Sequence, residues 1–146
     1  MLVSDNADIM RLMEHFCIAI LENNKEDMEK LLNQILPNMS YMDASEDLFQ
    51  GYLMCLFSMF LNNKKYIVDS NRESGMGRFD LMIKDKIFNI GIVIELKITK
   101  DDMEQMALKG LNQIEEKQYY MDLVKEGYKD IRKIAICFKG KKCCIR

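Results

Sequence analysis

Two charged residues interrupt an otherwise aliphatic run. In Ile92-Val-Ile-Glu95-Leu-Lys97-Ile98 a carboxylate and an ammonium stand two positions apart. In a strand, residues i and i+2 share a face about 7 Å apart. Burying two charges costs several kcal/mol per ion unless something compensates. One resolution is a cross-strand ion pair at a sheet end, with both heads in water. The other is an active site, where buried titratable groups collect. The preceding segment favours the second. From Arg78 to Ile83 the chain alternates, with Phe79, Leu81 and Ile83 on one side and Arg78, Asp80 and Met82 on the other. The polar triplet Lys84-Asp85-Lys86 reads as a tight turn leading into a long apolar strand, Ile87 to Ile98. Two strands joined this way pair antiparallel, which lets Asp80 approach Glu95. Carboxylates that converge repel unless a cation lies between them. Two acids, a backbone carbonyl and water make a magnesium arrangement. Such an ion acidifies water and offsets charge on a phosphoryl oxygen. Lys97 then orients or activates the water and stabilises the developing charge.

The elements that must carry these residues are legible from periodicity. A helix is expected from about Asp5 to Glu22, on Ile9, Leu12, Met13, Phe16 and Ile20. A second follows with Asn24 as its cap and Met28, Leu31, Leu32 and Ile35 as its stripe, ending at Pro37. A third opens near Asp43, with Glu46 reaching back as capping partner, and is apolar over a wide arc from Leu48 to Phe60. Glu46 shares its inward side with Phe49 and Leu53. Tyr66–Ser70 reads as a strand and Asn71–Gly77 as a turn-forming loop. A long helix runs from Asp101 or Asp102 to a stop at Gly127. Strands at Arg132–Phe138 and Cys143–Ile145 close the chain, joined by a turn at Gly140. Strands mixed with helices in this order predict an α/β fold.

Composition narrows the class. The chain has 146 residues, 49% hydrophobic and 30% charged, with one Pro. That is a globular composition of one-domain size. No apolar run reaches the roughly 18 residues of a membrane span. The N-terminus has no basic flank before its first apolar stretch, so a secretory signal is not expected and a cytoplasmic, intracellular location is. One histidine, His15, and no C-x-x-C among five cysteines argue against zinc, and an odd cysteine count against a disulfide framework. The net charge of −2 carries no global polyanion signature. Its distribution is uneven: ten acids face three bases up to Phe60, and the remainder is net basic, ending in Lys139, Lys141, Lys142 and Arg146. That permits a polyanion to approach one side, although a solvated face explains the same charges. Gly75 and Gly77 allow close backbone approach. They do not form a nucleotide loop, because no Lys-Ser/Thr follows. Arg78 beside them either contacts phosphate or pairs with Glu73.

The run Ser70-Asn-Arg-Glu-Ser-Gly-Met-Gly-Arg-Phe-Asp80, followed by Glu95-Leu-Lys97, resembles the PD-(D/E)XK nuclease superfamily, and more closely its branch fused to an AAA-ATPase-like module. Ala107-Leu-Lys-Gly-Leu-Asn-Gln113-Ile-Glu-Glu-Lys-Gln-Tyr119 and Ile134-Ala-Ile-Cys-Phe-Lys-Gly-Lys-Lys-Cys143 resemble that branch too. The ATPase module has no counterpart here, since no G-x-x-x-x-G-K-[ST] occurs. The resemblance implies a restriction-endonuclease-like core at 43–146, a central mixed β-sheet flanked by helices, with 1–37 as a helical cap on the same single domain. It implies Asp80 and Glu95 as metal ligands, Glu46 as an extra acid acting on the metal through water, and Lys97 as the catalytic lysine. Gln113 corresponds to a glutamine near the scissile phosphate. Lys117, one turn on, and Tyr119 join Arg78 as nucleic-acid contacts. The implied activity is Mg2+- or Mn2+-dependent phosphodiester hydrolysis. The implied partners are nucleic acid, DNA ahead of RNA, with a homodimer and a separate ATPase also compatible. The alternative is a catalytically idle nuclease-fold module that binds nucleic acid or a protein.

Overall fold

A computed structural model of the protein describes residues 2–39, 45–61, 65–70, 73–74, 77–78 and 80–146, with side chains for 7–39, 45–61, 65–70 and 80–146. Its centre is a mixed five-stranded sheet, ordered β1-β4-β5-β6-β7. The strands are β1 (Tyr66–Ser70), β4 (Leu81–Asp85), β5 (Ile90–Ile98), β6 (Asp130–Lys139) and β7 (Lys142–Ile145). β5 lies in the middle and runs antiparallel to β4 and parallel to β6. A parallel neighbour requires a crossover, and α4 (Met103–Lys117) and α5 (Met121–Lys125) supply it. The short strands β2 (Glu73–Ser74) and β3 (Gly77–Arg78) pair separately; they take up part of the segment expected as loop together with Arg78, expected to open the next strand, which instead lies outside β4.

β5 is aliphatic because both of its faces are covered. Ile92, Ile94 and Leu96 join Leu81, Ile83, Ile134 and Ile136 in the larger core. That core is closed by α1 (Leu2–Glu22), α2 (Lys25–Ile35) and α3 (Glu46–Phe60), with Phe49 of α3 stacked on Phe138 at 3.8 Å between ring centres. The opposite face packs Val93 and Met82 against Ile114, Tyr119 and Leu123, and Ala135 and Cys137 against Ala107. Gly91 makes room there: a Cβ on it would stand 2.6 Å from Leu123.

Three boundaries differ from the expected ones, each for a local reason. The β4–β5 turn is Lys86–Asn89, beginning two residues later than Lys84-Asp85-Lys86 and ending three residues later. Asp85 ends β4 and its carboxylate accepts the N–H groups of Ile87 and Phe88, so the turn is built around it. Asn89 takes a left-handed φ of 55°, for which asparagine is suited. The single long helix is two, because Gln118 adopts φ 52° and the N–H of Tyr119 closes back on the carbonyl of Ile114. That is a Schellman-type stop without glycine. The cap of α3 is Ser45, whose hydroxyl accepts the N–H of Leu48 at 3.1 Å. Asp43, expected in that role, lies outside the described residues. The Asn24 cap of α2 forms as expected, on the N–H of Asp27. The α2 helix also shields the outer edge of β7. Asn33 donates to the carbonyl of Cys143 and accepts its N–H, while Glu29 accepts the N–H of Ile145.

Candidate active site

The antiparallel register brings two acids together. Leu81 pairs with Ile94 and Met82 with Val93, so one further step sets Asp80, just before β4, opposite Glu95. Asp80 and Glu95 face the α4 side, with Met82 and Val93. Asp80 is held from two directions. Its Oδ2 accepts the N–H of Leu96 at 2.7 Å, and its carbonyl accepts the side-chain amide of Gln50 on α3 at 2.9 Å. Glu95 is 4% exposed, and its Oε1 lies 3.5 Å from Nζ of Lys97. Lys97 Nζ donates to Oε1 of Gln113 on α4 at 2.5 Å, and Nε2 of Gln113 donates to the Tyr119 hydroxyl at 2.8 Å. The left-handed stop at Gln118 is what turns Tyr119 back toward Gln113, six residues upstream.

Electrostatics follow from this packing. Burial pushes Glu95 up to about 8, the neighbouring charge of Asp80 adds to that, and Lys97 opposes it. Asp80 is also raised, again by burial first, with the Leu96 N–H and the Glu95 and Lys97 side chains pulling it back and Asp47 pushing it further up. Burial likewise raises the Tyr119 hydroxyl. With both carboxyls ionised, as metal binding requires, a single ammonium leaves the cluster short of positive charge. As a carboxylate acceptor, Glu95 Oε2 is buried and has no hydrogen-bond donor; the protonated Glu95 carboxyl instead donates to Asp80. A buried acceptor left unpaired is costly. Hard oxygen donors of this kind fit a divalent cation such as Mg2+ or Mn2+. Asp80 and Glu95 are the side chains that would hold it. Among the described residues no group of three or more His, Cys, Asp or Glu side chains is placed to hold an ion.

The other expected site residues are dispersed. Glu46 is exposed at the first turn of α3, not on its inward side. The helical stripe of Phe49 and Leu53 extends back to it, but Glu46 is the first residue of the helix and its side chain is exposed. Its charge still registers on the buried Cys137 thiol. Lys117 is exposed in the last turn of α4. The backbone of Arg78 pairs with Glu73 across the small hairpin, while its side chain lies outside the described residues. Tyr119 is 3% exposed, with its hydroxyl on Gln113. Sequence reasoning missed Gln50 and Gly110. Gln50 has a signal, an amide within an otherwise apolar helical arc. Gly110 has one too, a glycine inside a helix with no turn to serve.

The sequence profile of the PD-(D/E)XK nuclease superfamily matches residues 45–146, from the cap of α3 to the end of β7. The chain belongs to this superfamily. The matched span contains the whole PD-(D/E)XK sheet and every residue of the Asp80–Glu95–Lys97 cluster, while α1 and α2 precede it. No curated protein matches the chain. Among the described residues no helix is long and apolar enough to cross a membrane.

Proposed function

We propose that this protein is a metal-dependent nuclease that hydrolyses phosphodiester bonds in nucleic acid, with DNA the first substrate to test. One observation carries the reading: Asp80, Glu95 and Lys97 converge, and the inner oxygen of Glu95, as a carboxylate, has no hydrogen-bond donor. Asp80 and Glu95 hold Mg2+ or Mn2+ as carboxylates. The bound cation supplies water acidification and charge neutralisation at a phosphoryl oxygen. Hydrolysis forms one P–O bond from water and breaks one bridging P–O bond, and the departing alkoxide takes up a proton. Lys97 directs two contacts to Glu95 and Gln113 and has a further N–H to donate to the phosphate as charge builds there. Gln113 holds Lys97 in place. Glu46, Arg78 and Lys117 serve at the periphery, Glu46 through water and the two cations on flanking phosphates.

The test combines binding and turnover. Mg2+ or Mn2+ should raise the melting temperature of the wild type and not of Asp80→Ala. Cleavage should be metal-dependent on at least one of single- or double-stranded DNA or RNA. A wild type that binds neither ion and cleaves none of these overturns the proposal in favour of the idle nuclease-fold module.

A further inference from the structure

We propose that Gly110 is a positioning residue. The missing side chain sets the depth at which α4 sits on the sheet, and through Gln113 it sets where the Lys97 ammonium stands. The consequence for cleavage rests on the nuclease reading above; the placement of Lys97 does not. Glycine in a helix interior is unfavourable relative to alanine. Gly110 lies mid-way along α4 and does not use a positive φ, unlike Gly127 and Gly140. Its conformational freedom is therefore not the reason for it. Space is. A Cβ on Gly110 would lie 3.0 Å from Cβ of Ala135, 3.5 Å from Cγ of Lys97 and 3.6 Å from Cγ of Glu95. Glu95 and Ala135 are register partners on β5 and β6, so Gly110 lies directly over the stems of the candidate catalytic pair.

The neighbour that would have to yield is the least able to. The Ala135 methyl is fixed to a strand hydrogen-bonded on both sides and has no rotamer to escape into. One methyl fits between helix and sheet, and Ala135 provides it. A second pushes α4 outward by a few tenths of an ångström. Gln113 is three residues on, on the same face of the helix, and it meets Lys97 at 2.5 Å. Moving α4 moves Gln113 off Lys97 and takes the Tyr119 hydroxyl with it.

Three variants decide this: Gly110→Ala, Ala135→Gly and the swap that carries both. The first readout is taken on metal-free protein, as the NMR resonances of the Gln113 side-chain amide and the Lys97 Nζ, with the melting temperature alongside. Gly110→Ala should displace both resonances and lower the melting temperature although it adds a better helix former. The swap, with one methyl in the gap again, should return them to wild-type positions. Ala135→Gly should leave the Lys97–Gln113 contact in place. In the cleavage assay Gly110→Ala should lower kcat on the order of 10- to 100-fold with KM little changed, as small misplacements of a catalytic group do, and the swap should recover it. Wild-type resonances in Gly110→Ala overturn the proposal. So does a folded swap in which they stay displaced, and the swap alone decides if Gly110→Ala fails to fold. Absence of cleavage by the wild type would count against the nuclease reading, with the resonances still deciding where Lys97 is held.

Discussion

Replacing Glu95 with glutamine in metal-free protein isolates the strongest electrostatic feature of the site. A carboxyl held near 8 in the folded protein and at its ordinary 4.5 when unfolded binds its proton more tightly in the native state. The sign follows: the stabilisation is complete below the unfolded value and is lost as pH rises through the folded one. Between about pH 5 and 8 the slope contributed by one such group is at most ~1.4 kcal/mol per pH unit. Asp80 is shifted in the same direction and adds to the effect. For a chain of 146 residues the unfolding entropy is roughly 0.3 kcal/mol per kelvin, so the melting temperature should fall by about 4 °C per pH unit. Glutamine keeps the shape and carries no proton to lose, so Glu95→Gln should flatten most of that slope. The assay is thermal unfolding in EDTA across pH 5–8, read as wild type minus variant so that other titrations cancel. Adding Mg2+ or Mn2+ should stabilise the wild type more at pH 8 than at pH 5, because the ion competes with the proton. Equal slopes in the two proteins, or a wild-type melting temperature that rises across the window, would refute the reasoning.

Lys97→Ala should retain a metal-induced thermal shift while losing on the order of 100-fold or more in cleavage rate, since Asp80 and Glu95 remain to hold the ion; a folded variant cleaving at the wild-type rate excludes Lys97 from the chemistry. Tyr119→Phe removes the acceptor of the Gln113 amide in a part-buried hydrogen bond and should cost about 1 kcal/mol in urea unfolding, together with a fall in kcat and an unchanged KM. Asn33→Ala leaves both backbone groups of Cys143 without their α2 partner. It should destabilise by roughly 1–3 kcal/mol while leaving kcat untouched, because α2 lies on the edge strand away from the Asp80 cluster.

Some of this was written in the linear pattern and some was not. The central strand announced itself by continuous aliphatic residues, since only a strand covered on both faces is made that way. The sequence placed Asp80 and Glu95 on neighbouring antiparallel strands but did not pair them: a turn at Lys84-Asp85-Lys86 would set Asp80 against Ile90, and only the turn at Lys86–Asn89 sets it against Glu95. The third helix was legible, its wide apolar arc demanding burial. Capping was less so. Ser45 and Asp43 are both competent caps, and nothing local distinguishes them. The stop at Gln118 was invisible, because a left-handed glutamine has no composition signal and only packing against the sheet holds it there. That stop decides what Tyr119 does: the sequence offered a tyrosine near a glutamine, and the fold turned its hydroxyl inward onto Gln113. Glu46 shows the converse, a residue on the correct helical stripe but in the exposed first turn of its helix. Charge shifts on Asp80 and Glu95 were beyond the sequence altogether, because desolvation depends on how many atoms surround a group in space. The residue types and their order along the chain determined which groups could do chemistry. The approach of α4 to the sheet, governed by one missing methyl at Gly110, decided how they are held.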